Sequence, residues 1–330
     1  YIYIGPDENF HDYLIQWLAA EAVKMGYYSG GAVISGKETI GVNHKEYGVT
    51  SWGALQFLHH AVKFASIPEN FTCKITGGPD GDVDGNFMLL LKKYYPKSRL
   101  LVVTDGSGTC YDPEGFDYEE LEHMFHKVQM MKDYPAEKLH EGGWILSIKT
   151  TRQPNPLTKE CLCIRKQNGK VVEDWISSNA AFALFGKNAH VVETDVFLPS
   201  GGRPRALSML NINDFLNKDG KPTSRVIVEG ANLYITPDAR EFLEDKGVVL
   251  FKDSSANKCG VVSSSYEILA GLTLNDEQFI KVKPTLAKNI LERLAKIAND
   301  EARCMLEYYE QQKRTVSLSA VSELVSQTIN

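Results

Sequence analysis

The residues best suited to chemistry in this chain stand in one stretch, Ile75-Thr76-Gly77-Gly78-Pro79-Asp80-Gly81-Asp82-Val83-Asp84-Gly85-Asn86. Glycine lets backbone come close to a ligand and adopt positive φ. A helix that starts among glycines directs unpaired N–H groups and its positive dipole end into the turn. A pyrophosphate suits such a place, and Gly78, Gly81, Asp82 and Val83 are the candidate cofactor contacts. The spacing departs from G-x-G-x-x-G by about two residues around Pro79-Asp80, so which glycine meets phosphate stays open. A further candidate, Asp105, closes the run Arg99-Leu100-Leu101-Val102-Val103-Thr104. It lies at the distance beyond the glycines where an acid hydrogen-bonds the adenosine ribose diol.

Those residues need particular elements to hold them. Phe71, Cys73 and Ile75 alternate as in a buried strand, whereas Phe87-Met88-Leu89-Leu90-Leu91 has helical length and composition. The glycines therefore fall where a strand turns into a helix, with Asp105 at the tip of the next strand. A glycine loop alone reads equally as a plain turn; strand, loop, helix, strand and terminal acid together supply the context of a dinucleotide fold.

The 330 residues are enough for two domains, and 43% hydrophobic with 24% charged is ordinary globular composition. No apolar run approaches the ~20 residues of a membrane span, and no charged-then-apolar leader opens the chain. A formal charge of −6 argues against a nucleic-acid footprint. The expectation is therefore no nucleic acid and no membrane, and a cytoplasmic or mitochondrial location. Six scattered cysteines in apolar contexts suit a reduced compartment. Cys161 and Cys163 read as two side chains on one strand face rather than metal ligands, and no metal is expected. The chain starts on Tyr1 in strand-like alternation, which suggests a piece of a longer protein.

In chain order, a helix is expected from about His11 to Met25, with Asp7 placed to cap it. A second runs from Trp52 to about Ala65, and Thr50 is a possible N-cap. Residues 106–175 read as a partly helical insertion without an assignable task; His123 and His126, one turn apart, read as a solvated face. Strands are expected at 189–192, 194–198, 226–228 and 248–251, with a helix from Pro237 to Asp245. Amphipathic helices follow at 276–282, 286–311 and 319–328, packing back across the first segment. The fold class is α/β: a Rossmann-like, doubly wound, mostly parallel sheet with part of a second domain. The boundaries are 1–48 for the end of a substrate domain, 49–253 for the nucleotide-binding domain and 254–330 for the C-terminal helices.

The ordered series Gly-Pro-Asp7, Ser-Gly-Lys37, Lys-Glu46, Thr-Ser-Trp-Gly53, the glycine loop with Asp105, Leu-Pro199, Glu-Gly-Ala-Asn232 and Asn257 through Glu267 resembles the glutamate dehydrogenases. More narrowly, it resembles the catalytic core of the large NAD-specific class of fungi and other microbes. The resemblance implies oxidative deamination of L-glutamate to 2-oxoglutarate and ammonia, with NAD as cofactor and an oligomeric assembly. It carries a proton-transfer role to Asp7, a nicotinamide carboxamide contact to Thr50 and the nicotinamide end to Asn232. It carries cofactor or substrate contact to Asn257 and the substrate's side-chain carboxylate to Ser264. The family's catalytic lysine belongs to a glycine-rich motif upstream of Asp7; Lys37 and Lys45 do not fit it, so nucleotide binding without appreciable turnover is expected. Ser200-Gly201-Gly202-Arg203 departs from the family's more apolar loop, and Arg203 is available to meet a phosphate or carboxylate. Asp105, with no Arg or Lys in Gly106-Ser107-Gly108-Thr109, favours NAD over NADP by like-charge repulsion. The alternatives are a related branched-chain or aromatic amino-acid dehydrogenase, or a non-catalytic NAD-binding module.

Overall fold

The computed structural model describes residues 2–6, 10 and 12–329. The chain opens with α1 (Asp12–Lys24), a short α2 (His44–Tyr47) and α3 (Val49–Phe64). The first turns of a sheet protein follow: β1 (Thr72–Thr76), α4 (Val83–Tyr94) and β2 (Arg99–Asp105). Next come β3 (Gly108–Tyr111), α5 (Tyr118–Lys127), β4 (Trp144–Asn155), β5 (Thr158–Gln167) and β6 (Lys170–Ser177). Then α6 (Ser178–Val191) leads to β7 (Val196–Pro199), β8 (Val226–Val228), α7 (Pro237–Asp245) and β9 (Val249–Phe251). Helices complete the chain: α8 (Asp253–Ala256), α9 (Cys259–Thr273), α10 (Asp276–Gln311) and α11 (Leu318–Ile329).

One nine-stranded sheet, ordered β6-β5-β4-β3-β2-β1-β7-β8-β9, organises these elements. Strands β2, β1, β7, β8 and β9 run parallel, while β3 to β6 add an antiparallel flank beside β2. Side chains of a strand alternate between faces. Cys73, Ile75, Leu198, Val226, Val228 and Phe251 enter a core with α3, α4, α10 and α11. Val102, Phe197, Ile227 and Leu250 enter the other, with α6 and α7. The parallel strands are covered on both faces, as their apolar composition requires. The chain winds from β1 outward to β2, then crosses back through α6 to β7 on the other side. The loops after β1 and β7 therefore diverge at a topological switch point, the place where open α/β sheets bind ligands.

Four expectations change; the first is that Thr50 is no N-cap but the second residue of α3, behind Gly48. Residues 189–192 are not a strand but the end of α6 and its cap: Ala181, Asn188 and Ala189 bury one helical face, and Ser177 caps the start by accepting from Ala180 N. Four alternating residues cannot outweigh a helical period that begins eleven residues earlier. The two helices expected at 276–282 and 286–311 are one 36-residue helix that continues through Pro284. Phe279 on one side of the proline and Ala287, Ile290 and Leu294 on the other are all buried, so packing offsets the backbone hydrogen bond the proline removes. The insertion at 106–175 is an extension of the sheet, with α5 beside it. Cys161 and Cys163 are fully buried on one face of β5, in a small cluster with Leu146 and Ala181.

The start of the chain is tied to its end. Ile4 pairs with Ile34, and Glu267 on α9 accepts from Gly36 N at 2.9 Å, Val42 N at 2.8 Å and Lys37 Nζ at 2.8 Å. Lys37, buried and also donating to Ile34 O, is spent on this anchor.

Candidate functional site

Backbones meet at the switch point. The turn after β1 starts at Gly77, with φ +97° and its N–H donated to Thr104 O at 2.7 Å. From the β7 side, Ser200 N and Gly201 N both donate to Thr76 O, and a Cβ on Gly201 would stand 2.9 Å from Gly77 Cα. Gly230, after β8, closes from the third side: its Cβ would lie 3.0 Å from Val83 Cγ1 and 3.1 Å from Ser200 Oγ. Only glycines permit this approach of three loops.

Within the turn sits a residue that the sequence reading passed over, Asp84. A Cβ on Gly77 would lie 2.1 Å from Asp84 Oδ2, and one on Gly81 2.1 Å from Asp84 Oδ1. The carboxylate is thus folded into the glycine turn at the start of α4. Burial above all, then Asp82, and more weakly Asp80 and Asp105, push its carboxyl well above the usual range. Burial and then Asp105 raise Asp80 too. A Cβ on Gly78 would stand 2.6 Å from Asp105 Oδ2 and 2.7 Å from Asp80 Oδ1, so that glycine lies between two acids. Asp82 is exposed at the helix N-cap and accepts from Val83 N at 2.8 Å. Val83 O accepts from Ser51 Oγ at 2.6 Å, and Lys45 Nζ donates to Asp80 O at 2.7 Å, so α3 and α2 brace the turn. The signal for Asp84 was in the sequence: an acid inside the glycine series, at the second position of a helix, where an anion is favoured.

Asp105 stands at the tip of β2 beside Gly78, as its position in the sequence implies, but it is buried and engaged. Oδ1 accepts from Ser107 N at 2.7 Å, Ser107 Oγ at 2.6 Å and Gly108 N at 3.1 Å, and Oδ2 accepts from Met131 N at 2.7 Å. These bonds shape the turn into β3 and pin the segment after α5. Only Oδ2 keeps capacity for another donor.

The loop after β8 is held by charge. Glu229, fully buried, takes a bidentate pair from Arg240 Nε and Nη2, both at 2.7 Å. Arg240 reaches Asp253 at 3.1 Å, and Asp253 Oδ2 accepts from Leu233 N at 2.7 Å. Burial outweighs the guanidinium and pushes the Glu229 carboxyl up to about 7. This network presents Asn232, exposed, to Asn257: the Asn257 amide donates to Asn232 Oδ1 at 2.5 Å and to Gly230 O at 3.2 Å.

Further along the edge, α9 gathers hydroxyls and an imidazole. A Cβ on Gly260 would lie 2.7 Å from Thr50 Oγ1. One turn on, Ser264 Oγ donates to Gly260 O at 3.1 Å, accepts from Ser35 Oγ at 2.9 Å and stands 3.3 Å from His44 Nε2. Burial lowers the His44 pKa against the opposing pull of Asp82 and Glu267. Sequence reasoning did not single out His44, because nothing local ties it to a serine 220 residues away. The structure thus brings together Thr50, His44 and Ser264, and separately Asn232 and Asn257, along one edge with the glycine turn. Asp7 lies outside the described residues.

A model of the Glutamate/Leucine/Phenylalanine/Valine dehydrogenase family matches residues 41–327. Glutamate dehydrogenase 2 of Dictyostelium discoideum is 31% identical across 100% of this chain and 31% of its own length. The NAD-specific glutamate dehydrogenase of Saccharomyces cerevisiae is 35% identical across 84% of this chain and 24% of its own. The chain therefore spans about a quarter to a third of these relatives. Among solved structures, the hetero-hexameric glutamate dehydrogenase of Thermus thermophilus aligns over 97% of this chain and 61% of that one, with a TM-score of 0.61 at 16% identity. At that identity the likeness bears on the fold.

Proposed function

The chain belongs to the Glutamate/Leucine/Phenylalanine/Valine dehydrogenase family, and on that premise we propose that it takes part in NAD-linked oxidative deamination of L-glutamate to 2-oxoglutarate and ammonia. The relatives' names support glutamate and NAD. The carrying observation is Ser264: its hydroxyl accepts from Ser35 and stands beside His44, with Thr50 against the preceding turn at Gly260, a polar setting that suits a second carboxylate. A leucine, valine or phenylalanine side chain would put hydrocarbon against those polar groups, a poorer match. In this reading Ser264 binds the side-chain carboxylate, Thr50 meets the nicotinamide carboxamide, and the Asn232–Asn257 pair orients the nicotinamide end. Gly78, Gly81, Asp82 and Val83 face the pyrophosphate, Asp105 Oδ2 the ribose, and Asp7 moves protons. Residues 1–48 close the substrate side, 49–253 form the nucleotide domain, 254–330 pack back towards the first segment, and the full protein is an oligomer.

The amide and hydroxyl end of the edge suits a nicotinamide and an acidic substrate, and the glycine turn carries Asp84 packed against Gly77 and Gly81. Thermal unfolding tests the substrate reading. A ligand that binds only the folded state raises the midpoint in proportion to RT ln(1 + [L]/Kd). With NADH present, 2-oxoglutarate is expected to add a shift that 4-methyl-2-oxopentanoate does not, and Ser264→Ala is expected to remove it. Equal shifts for the two keto acids, or an undiminished shift in Ser264→Ala, would count against glutamate.

A further inference from the structure

The glycine turn at the head of α4 is built as an anion site, with a helix N-terminus and glycines around it, yet the group it holds is the chain's own carboxyl. Asp84 is buried, and its two oxygens take the space beside Gly77 and Gly81 that any side chain on either glycine would need. Asp80 and Asp105 close in on Gly78 from the other side, and Asp82 caps the same helix. Lys45 is the cation that reaches the turn, and its ammonium is bonded to the Asp80 carbonyl.

We propose that Asp84 is an internal occupant of the phosphate cradle and sets the affinity of this chain for a dinucleotide, because the pyrophosphate and the Asp84 carboxylate compete for one place. The inference rests on the nucleotide reading above. A protein whose binding-competent state is a minor one binds with an apparent affinity reduced by that fraction. Rotating the carboxylate out of the turn is the step that makes the site competent. Weak binding by the unaltered chain follows.

The experiment is a set of three variants: Asp84→Asn, which keeps the shape and replaces the carboxyl by a neutral amide, and Asp84→Ser and Asp84→Gly, which also empty the turn. NADH binding is read by calorimetry, and inorganic pyrophosphate, which engages the cradle alone, by thermal shift; circular dichroism confirms that each variant is folded. The expected result is NADH affinity at least tenfold tighter in Asp84→Gly and Asp84→Ser, with Asp84→Asn between them and the unaltered chain. Pyrophosphate is expected to stabilise the emptied variants and leave the unaltered chain unmoved. Should NADH bind the folded variants no more tightly than the unaltered chain, and pyrophosphate fail to distinguish them, the inference is overturned. A gain in pyrophosphate binding without a gain for NADH would uphold the cradle and count instead against the dinucleotide reading. If Asp84→Gly does not fold, Asp84→Ser and Asp84→Asn give the same comparison.

Discussion

Two loops at the carboxyl edge of one sheet each bury an acid, and they treat it in opposite ways. Glu229 after β8 is met by Arg240, and through it by Asp253, so every oxygen has a partner. Asp84 after β1 is met by glycine backbone and by other acids. A buried carboxylate paired to a guanidinium is scaffold, because removing either partner strands a charge. A buried carboxylate at a helix start among acids holds a place that another anion can take. The contrast separates the loop that must stay still, carrying Asn232, from the turn that must change when a ligand arrives.

The sharpest way to break this contrast is to remove the cation. Arg240→Ala leaves Glu229 and Asp253 buried together, and the expected cost is about 3–5 kcal/mol of folding stability, read from urea denaturation. Asp84→Asn, which removes an acid with no such partner, is expected to leave stability unchanged or higher. If both variants lose similar amounts, the two loops are alike and the contrast fails.

A smaller effect appears in the pH dependence of stability. Glu229 has a folded value of about 7 against 4.5 for the ordinary group, so the fold binds its proton more tightly than the unfolded chain does. Stability from this source is complete below about pH 4.5 and declines as pH rises through about 7. Glu229→Gln is expected to flatten that decline while Arg240 keeps Asp253. Denaturation midpoints across this range test it, and an undiminished slope would assign the decline to another group.

How far the sequence revealed these features depends on their range. The glycine turn, Asp105 at a strand tip and the helix at Pro237–Asp245 were legible, because each is set by neighbours a few residues apart. The antiparallel flank was not: the far half of β4 and most of β6 are exposed, so apolar alternation, which marks a half-buried strand, is weak there. Lys74 within β1, itself legible from Phe71, Cys73 and Ile75, has a role that was not legible. It lies fully buried on the α6 face, its ammonium bonded to His190 O, Val192 O and Thr223 Oγ1, where an aliphatic residue would be expected. The meeting of Ser264 with Ser35 and His44 joins residues more than 200 apart, a pairing that only the packing of α9 against the first segment creates. Asp84 was passed over for another reason: an acid among glycines looks like part of a turn until the direction of its side chain is known.

The smallest predicted difference concerns which dinucleotide the turn tolerates. A 2′-phosphate would approach the tip of β2, where Asp105 and Asp80 flank Gly78, and like charges there oppose it. The structure adds a lysine that the local sequence did not suggest: Lys132 N donates to Ser107 Oγ at 3.1 Å, which anchors its backbone at the turn after Asp105. Its ammonium, however, pairs with Asp133 at 2.5 Å on a partly exposed surface, and such pairs are worth only about 0–1 kcal/mol. The lysine can therefore be recruited at small cost, which limits the discrimination. We expect NADH to bind about tenfold more tightly than NADPH, a difference of about 1.4 kcal/mol. Lys132→Ala should widen the gap by weakening NADPH alone. Calorimetry with both nucleotides on the Asp84→Ser background, where binding is strong enough to compare, measures this. Tighter NADPH binding there would show that Lys132, not Asp105, governs the ribose end.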